Sequence, residues 1–335
     1  MNNIIKEKNQ KEEIILSVNN LKINFYVNKQ IVKAVRGIDF SIHKNEIVGL
    51  VGESGAGKSV CALSLLQLLP PLSSCEVSGE ICFKGENLLK LNEKEMQRIR
   101  GAKISMIFQE PAISLNPLLS IGYQIAESIK LHQKVDKIKT KEKVLEILNL
   151  VKIPDPLKRI KEYPYEMSGG MKQRAMIAMA LVSNPSLLIA DEPTTALDVT
   201  IQKQIIYLIK ELQKKFGTSI LFITHNLGII AEVADKVMVM YSGKIVESAP
   251  VKEIFHNPRH PYTSSLLKSI PRLNYSKVNR LNSIPGSLPN PVDNIQGCLF
   301  HPRCSLSSSV CEKKEPEMMR VANDHYVYCW KILNK

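Results

Sequence analysis

The run Gly52-Glu53-Ser54-Gly55-Ala56-Gly57-Lys58-Ser59 constrains this chain more than any other feature. In the pattern G-x-x-x-x-G-K-[ST] the glycines let the backbone curl so that successive N–H groups face phosphate oxygens. The lysine adds a cation and the last hydroxyl a magnesium ligand. The apolar run Ile47-Val48-Gly49-Leu50-Val51 before it predicts a buried strand, and Val60 to Leu69 behind it a helix, which sets the phosphates on a helix N-terminus. A strand, loop and helix of this kind belong to the α/β class.

A phosphate loop that hydrolyses its nucleotide also needs carboxylates. Ser186-Leu187-Leu188-Ile189-Ala190 predicts a second buried strand ending in Asp191-Glu192. Two carboxylates would then sit at the C-terminal edge of a parallel sheet, where open α/β folds bind ligands. Asp191 suits the magnesium shell, and Glu192 is the candidate for orienting and deprotonating an attacking water.

Four more segments follow in order. Gln109 ends the strand-like Ile104-Ser105-Met106-Ile107-Phe108; Ser168-Gly169-Gly170-Met171-Lys172-Gln173-Arg174 begins 109 residues beyond Ser59; Leu197-Asp198 follows Asp191-Glu192-Pro193-Thr194-Thr195-Ala196; and His225 follows the apolar Ile220 to Thr224. With the phosphate loop they resemble the Q-loop, signature, D-loop and switch histidine of the ATP-binding subunit of an ABC transporter. The resemblance implies an ABC-type P-loop ATPase with an antiparallel β-subdomain and an inserted helical subdomain, working with ATP and Mg2+ as half of a dimer. Gly52, Glu53, Ser54, Gly55, Ala56, Gly57, Lys58 and Ser59 would hold the phosphates. Ser59, Gln109 and Asp191 would serve the magnesium ion, and Glu192, His225 and Gln109 the chemistry. Ser168, Gly169 and Gly170 would close the partner's nucleotide, with Asp198 also in the nucleotide-binding set. Phe25 is the residue that aligns with the adenine-stacking aromatic; Tyr26 is adjacent, and because side chains alternate along a strand only one of the two can face a base. The other reading is that both cover a β-subdomain core.

Phe108-Gln109-Glu110-Pro111 continuing to Ser114-Leu115-Asn116-Pro117, the methionine at position 171, and Asp198-Val199-Thr200 resemble the oligopeptide, dipeptide and nickel importer branch. His260-Pro261-Tyr262-Thr263 and Gly297-Cys298-Leu299-Phe300-His301-Pro302-Arg303-Cys304 resemble its C-terminal extension. The similarity runs from about Ile14 to Trp330. It implies two permease subunits, a paralogous ATP-binding subunit in a heterodimer, an extracytoplasmic solute-binding protein, and a place on the cytoplasmic face of the inner membrane. Peptide would not be bound directly by this chain.

Composition agrees. A length of 335 residues allows an ample core, no stretch approaches the roughly 18 apolar residues of a spanning helix, and Met1 to Glu13 carries no apolar signal core. The net charge of +13 owes much to lysines such as Lys134, Lys137, Lys139, Lys141 and Lys143, which read as a solvated helical face. No basic patch has interleaved aromatics, so nucleic acid is not an expected partner.

Residues 14 to about 50 alternate like strands, with a turn near Asn28-Lys29-Gln30. From Pro111 to Pro164 the spacing turns helical (Ile121, Ile125, Ile129; Val144, Ile147, Leu148, Val151). Residues 200 to 215 place Ile201, Ile205, Leu208 and Leu212 on one helical face, and Ser242-Gly243 signals a hairpin. The predicted organisation is a nucleotide-binding domain over 14–257, with a helical subdomain at about 111–167, and an extension over 258–335. Proline density between Pro258 and Pro291 marks a linker or an extended wrap.

Four of the seven cysteines, Cys298, Cys304, Cys311 and Cys329, fall in the last 38 residues, while Cys61, Cys75 and Cys82 near the phosphate loop read as packing residues. Clustered thiols in a cytosolic protein suggest a metal site rather than disulfides. Intervening lengths of five, six and seventeen residues do not match zinc knuckles. The family resemblance points to a 4Fe-4S cluster, for which four thiolates are the usual ligands. Zn2+, with His301 or His325 as substitute ligands, and unligated packing thiols stay open as alternatives.

The expected function is ATP hydrolysis that powers peptide import through other subunits. Nickel or another small solute competes with peptide, and a soluble ABC ATPase acting on nucleic acid stands as a rival, disfavoured by a single cassette without sustained heptads.

Overall fold

Residues that alternate apolar and polar, or run continuously apolar, fall into twelve strands and two sheets among the residues described by the computed structural model, which are 13–71, 74–195, 197–270, 284–293 and 295–333. The strands are β1 (Ile14–Val27), β2 (Gln30–His43), β3 (Ile47–Val51), β4 (Cys75–Phe83), β5 (Glu86–Asn87), β6 (Ile104–Ile107), β7 (Leu187–Asp191), β8 (Ser219–Thr224), β9 (Lys236–Tyr241), β10 (Lys244–Pro250), β11 (Met318–Ala322) and β12 (His325–Tyr328).

The smaller sheet, ordered β2-β1-β4-β5, is antiparallel. Its first hairpin turns at Asn28 and Lys29, both at positive φ, where the sequence placed a turn. The larger sheet runs β11-β12-β10-β9-β3-β8-β7-β6. Its central strands, β9-β3-β8-β7-β6, are parallel and the rest antiparallel. Ser242 and Gly243, again at positive φ, turn β9 into β10.

The parallel strands are mostly apolar because both faces are covered, with polar residues such as Asp191, Ser219, Thr224 and Lys236 at their ends. On β7, Leu188 and Ala190 join one core with the helices, while Leu187 and Ile189 join a second core with the antiparallel sheet. β8 repeats the division, with Ile220 and Phe222 on one side and Leu221 and Ile223 on the other. The strand ends carrying Asp191 and the phosphate loop are therefore clamped between two packed layers.

Between β6 and β7 the described residues form helices. Ile121–His132, capped by Ser120, and Lys137–Leu150, capped by Asp136, bury the predicted stripe of Ile121, Ile125, Ile129, Val144, Ile147 and Leu148. Each such side chain contributes about 1.5–3 kcal/mol by leaving water. The helix Val199–Phe216 buries Ile205, Leu208 and Leu212 as its spacing predicted, and ends on Gly217 at φ 63°.

The C-terminal residues are stitched to this frame. β12 pairs with β10, so the sheet of the phosphate loop continues into the tail. Tyr241, Tyr262 and Phe300 form an aromatic cluster with ring centroids 4.6–5.3 Å apart. Glu247 and His325, both fully buried, bond at 2.7 Å across the seam. The described part of the proline-rich stretch is not one extended wrap: it forms the helix Pro261–Lys268, capped by His260, and then irregular chain from 284 onward, where the Pro291 carbonyl accepts from Lys33 N–H and Arg36 Nη2, both at 3.2 Å. Residues 271–283 lie outside the described residues.

Candidate nucleotide site

The phosphate loop leaves β3 and enters the helix Lys58–Leu65 through Gly57 at φ 102°, where a Cβ would stand 2.4 Å from the Ala34 carbonyl oxygen. Only glycine fits that crossing. Lys58 is 5 % exposed, and Nζ donates to the carbonyls of Gly52 and Glu53, each at 2.9 Å. Burial pulls its pKa down, against Glu192, Asp191 and Glu53, whose charges pull it up. A cation parked on two carbonyls can swing to a phosphate oxygen with little reorganisation.

Ser59 Oγ donates to Asp191 Oδ1 at 3.1 Å, so the hydroxyl and carboxylate predicted for magnesium stand together. Burial raises the Asp191 pKa, a cost that the Ser59 hydrogen bond partly offsets and that a divalent cation would offset further. The donor set of hydroxyl, carboxylate and nucleotide phosphate suits Mg2+.

Glu192 is the most tightly held side chain of the site. Its backbone sits at φ 46°, a left-handed conformation that costs a non-glycine residue about 1–3 kcal/mol and aims the carboxylate off the strand end. His225 Nδ1 lies 3.0 Å from Oε1; Thr195 Oγ1 donates to Oε2 at 2.8 Å and Gln109 Nε2 to the same oxygen at 3.4 Å. Burial pushes its pKa up, but the bonds from His225 and Thr195 together prevail and hold it below the usual carboxylate range. Glu192 is therefore ionised at neutral pH, as a group that orients water must be.

Three predicted residues, Gln109, Glu192 and His225, are thus brought into one hydrogen-bonded group. Thr195 is a fourth, and it was not among the predicted site residues; its place three residues after Glu192, on the turn that returns the chain, was the available signal. Ser54 and Gly55 are exposed and Ala56 buried at the loop's crest.

The signature lies apart. Ser168 caps the helix Gly169–Leu181, its hydroxyl accepting from Met171 N–H at 3.4 Å, and Ser168 and Gly169 are exposed. Among the described residues no hydrogen bond joins Ser168, Gly169 or Gly170 to the phosphate loop of the same chain. Asp198 caps the helix Val199–Phe216, accepting from Thr200 and Ile201 N–H at 3.0 Å, and is also exposed. Phe25 is half-buried, packed on one side against the core under the antiparallel sheet, whereas Tyr26 is exposed and donates its hydroxyl to Glu76 Oε2 at 2.7 Å, so the two face opposite ways.

All seven cysteines are free, the four of the tail included, and Cys61 and Cys75 near the phosphate loop are buried as packing residues. Gly297, at φ 72°, lets the chain pass so close to Cys311 that a Cβ would meet its carbonyl oxygen at 2.2 Å, and Cys298 N–H donates to that oxygen at 2.7 Å. Burial lifts Cys298 to about 11 and Cys329 to about 12, and raises Cys304. The four thiols are also near enough that every pair interacts electrostatically. Backbone N–H groups of Phe300 and His301 face the Cys298 sulfur, and those of Leu306 and Lys331 face Cys304 and Cys329. Among the described residues no three or more His, Cys, Asp or Glu side chains are grouped to hold a metal ion. Of the substitute zinc ligands, His301 places Nδ1 2.9 Å from the Cys298 carbonyl and His325 places Nε2 2.7 Å from Glu247.

A phosphate loop, a paired Ser59 and Asp191, a clamped Glu192 and an outward-facing signature define an ATPase of the ABC class. Residues 35–195 match the ABC transporter family, and residues 246–311 match the oligopeptide/dipeptide transporter C-terminal region. The chain is 50 % identical to the oligopeptide transport ATP-binding protein OppD of Bacillus subtilis, over 95 % of this chain and 89 % of the relative. It is 48 % identical to the dipeptide transport ATP-binding protein DppD of the same organism, over 95 % of each. It is also 48 % identical to a probable peptide ABC transporter ATP-binding protein of Sinorhizobium fredii, over 97 % of each. The chain belongs to the ATP-binding proteins of oligopeptide and dipeptide ABC transporters. Its fold resembles the dimeric structure of MJ0796, a bacterial ABC transporter cassette, with TM-score 0.63 and 25 % identity over 70 % of this chain and 98 % of that one. CbiO1 from Clostridium perfringens, part of the ABC transporter complex cbiONQ, gives TM-score 0.63 and 28 % identity over 73 % and 92 %. Among the described residues no helix is long and apolar enough to cross a membrane.

Proposed function

We propose that this subunit hydrolyses ATP at the cytoplasmic face of the inner membrane to power peptide import, in a heterodimer with a paralogous ATP-binding subunit. Two permeases would form the channel and an extracytoplasmic binding protein would deliver the peptide, which this chain would not touch. The observation that carries the reading is the half-site: Lys58, Ser59, Asp191 and Glu192 converge, while Ser168 and Asp198 face solvent away from them.

Backbone N–H groups of Gly52–Ser59 and Nζ of Lys58 would take the phosphates, and Phe25 the adenine face. Mg2+, held by Ser59 and Asp191 with Gln109 nearby, would neutralise charge on the phosphate oxygens. Glu192 would orient water in line with the γ-phosphoryl group and take its proton, while donors pre-set on the charge that develops lower the barrier. His225 would contact the γ-phosphate and, on its loss, return to Glu192. The Gln109 loop and the helices after it would carry that change to the permeases. Nucleotide binding over 14–257 and a supporting role for 258–335 divide the labour.

The four tail thiols would bind a 4Fe-4S cluster. Their mutual proximity and the N–H groups facing three of the sulfurs support a shared polyanionic centre. The cluster would pin the tail to the ATPase.

The test is hydrolysis by the purified subunit alone and with its paralogue and permeases. The composite site predicts a weak rate alone and a higher one in the complex; a demonstrably monomeric subunit as fast as the complex would overturn it.

A further inference from the structure

Arg303 reaches from the cysteine-rich tail into the phosphate loop. Its side chain is 5 % exposed, and Nη1 donates to both oxygens of Glu53, at 3.1 and 3.2 Å. Nε is held by the Pro285 carbonyl at 2.8 Å, and the guanidinium lies 5.8 Å from the Tyr241 ring centroid. An exposed ion pair contributes little; a buried guanidinium with this many fixed partners holds its acceptor in place.

Glu53 is the second residue of the phosphate loop, and its peptide is held from two directions. Its N–H donates to Tyr262 Oη at 3.1 Å, and its carbonyl accepts from Lys58 Nζ at 2.9 Å. Tyr262 is fully buried in the aromatic cluster that docks the tail. One residue thus stands between the tail and the phosphate-binding lysine. Its carboxylate is also near enough to act electrostatically on Lys58, and unpaired it would compete with the phosphates for that cation.

We infer that Arg303 and Tyr262 are positioning residues for nucleotide: they neutralise and fix Glu53 so that the loop receives ATP. The affinity of the ATPase core is thereby tied to the order of the tail, because Arg303 directly precedes Cys304. A displacement of the Cys304 segment moves the guanidinium off Glu53 and weakens ATP binding without touching Glu192.

The inference is tested on the full chain by calorimetric titration with ATP and by steady-state hydrolysis. Arg303→Ala raises Kd and KM about tenfold with kcat nearly unchanged, and Arg303→Lys, which loses the fork geometry, falls between. Adding Glu53→Gln to Arg303→Ala recovers most of the lost affinity, because the competing charge is gone. A purely structural role predicts no such recovery. Parental affinity in Arg303→Ala, or lost affinity that Glu53→Gln does not restore, overturns the inference. If Arg303→Ala does not fold, parental affinity in both Arg303→Lys and Tyr262→Phe does the same.

Discussion

His225 Nδ1 and Thr195 Oγ1 occupy opposite oxygens of Glu192, at 3.0 and 2.8 Å. Each oxygen of the carboxylate is thus oriented by a partner before any water arrives, while Oε1, with one contact, keeps a lone pair for a water. His225, with a side chain 60 % exposed, is the freer partner and the one a γ-phosphate would draw away.

Glu192→Gln leaves ATP binding nearly intact and lowers turnover by about 10²–10⁴-fold, the range of a lost general base. Lys58→Ala, in contrast, loses binding as well. Nucleotide affinity and phosphate release measured side by side separate the two; a Glu192→Gln variant turning over at the parental rate removes Glu192 from this role.

Thr195→Val keeps the side chain's shape and deletes the donor to Glu192. Hydrolysis slows about tenfold, with ATP affinity little changed. Because the folded pKa of Glu192 is depressed, its contribution to stability is present above the ordinary carboxylate range and fades as pH falls through the folded value. Losing Thr195 moves that fade, and the acid limb of the rate profile, to higher pH. Denaturation midpoints and rates across pH 3 to 6, roughly the carboxylate range, check both.

His260 couples the tail's seating to pH. Burial lowers its pKa from 6.5 to about 4, although Glu247 pulls the other way, and Arg259 and His325 share that carboxylate. The unfolded chain therefore takes up a proton that the folded chain refuses. Stability is full above 6.5 and declines as pH falls towards about 4. His260→Asn, which keeps an acceptor for Tyr262 N–H, flattens this slope; an unchanged slope in urea titrations rules His260 out as its source.

The cluster proposed for the tail predicts that protein prepared without oxygen will contain iron and inorganic sulfide, and that Cys304→Ser will cost stability more than it alters turnover. Elemental analysis that finds about one zinc and no iron overturns the cluster and leaves the ATPase intact.

Much of the site was legible because its residues sit at strand ends, where an apolar run followed by Gln109, Asp191-Glu192 or His225 has few other readings. The turns at Asn28-Lys29 and Ser242-Gly243 were legible for a related reason: each holds one residue, Asn28 or Gly243, of a type that tolerates positive φ well. Thr195 was not, since a threonine on a turn is ordinary until its partner is seen. Nor was the link from Arg303 to Glu53, which spans 250 residues and leaves no local pattern. The pairing of β12 with β10 escaped for the same reason, because the tail's strands are too short to announce a neighbour.

That pairing decides where the molecule can be cut. Residue 257 reads as a boundary in composition, yet a chain ending there would leave β10 with an open row of backbone donors and acceptors along the side that β12 now covers. Such an edge invites strands from other molecules. The last residues of the tail thus work as a seal, and a cassette trimmed to its catalytic motifs would keep every nucleotide ligand and lose its solubility.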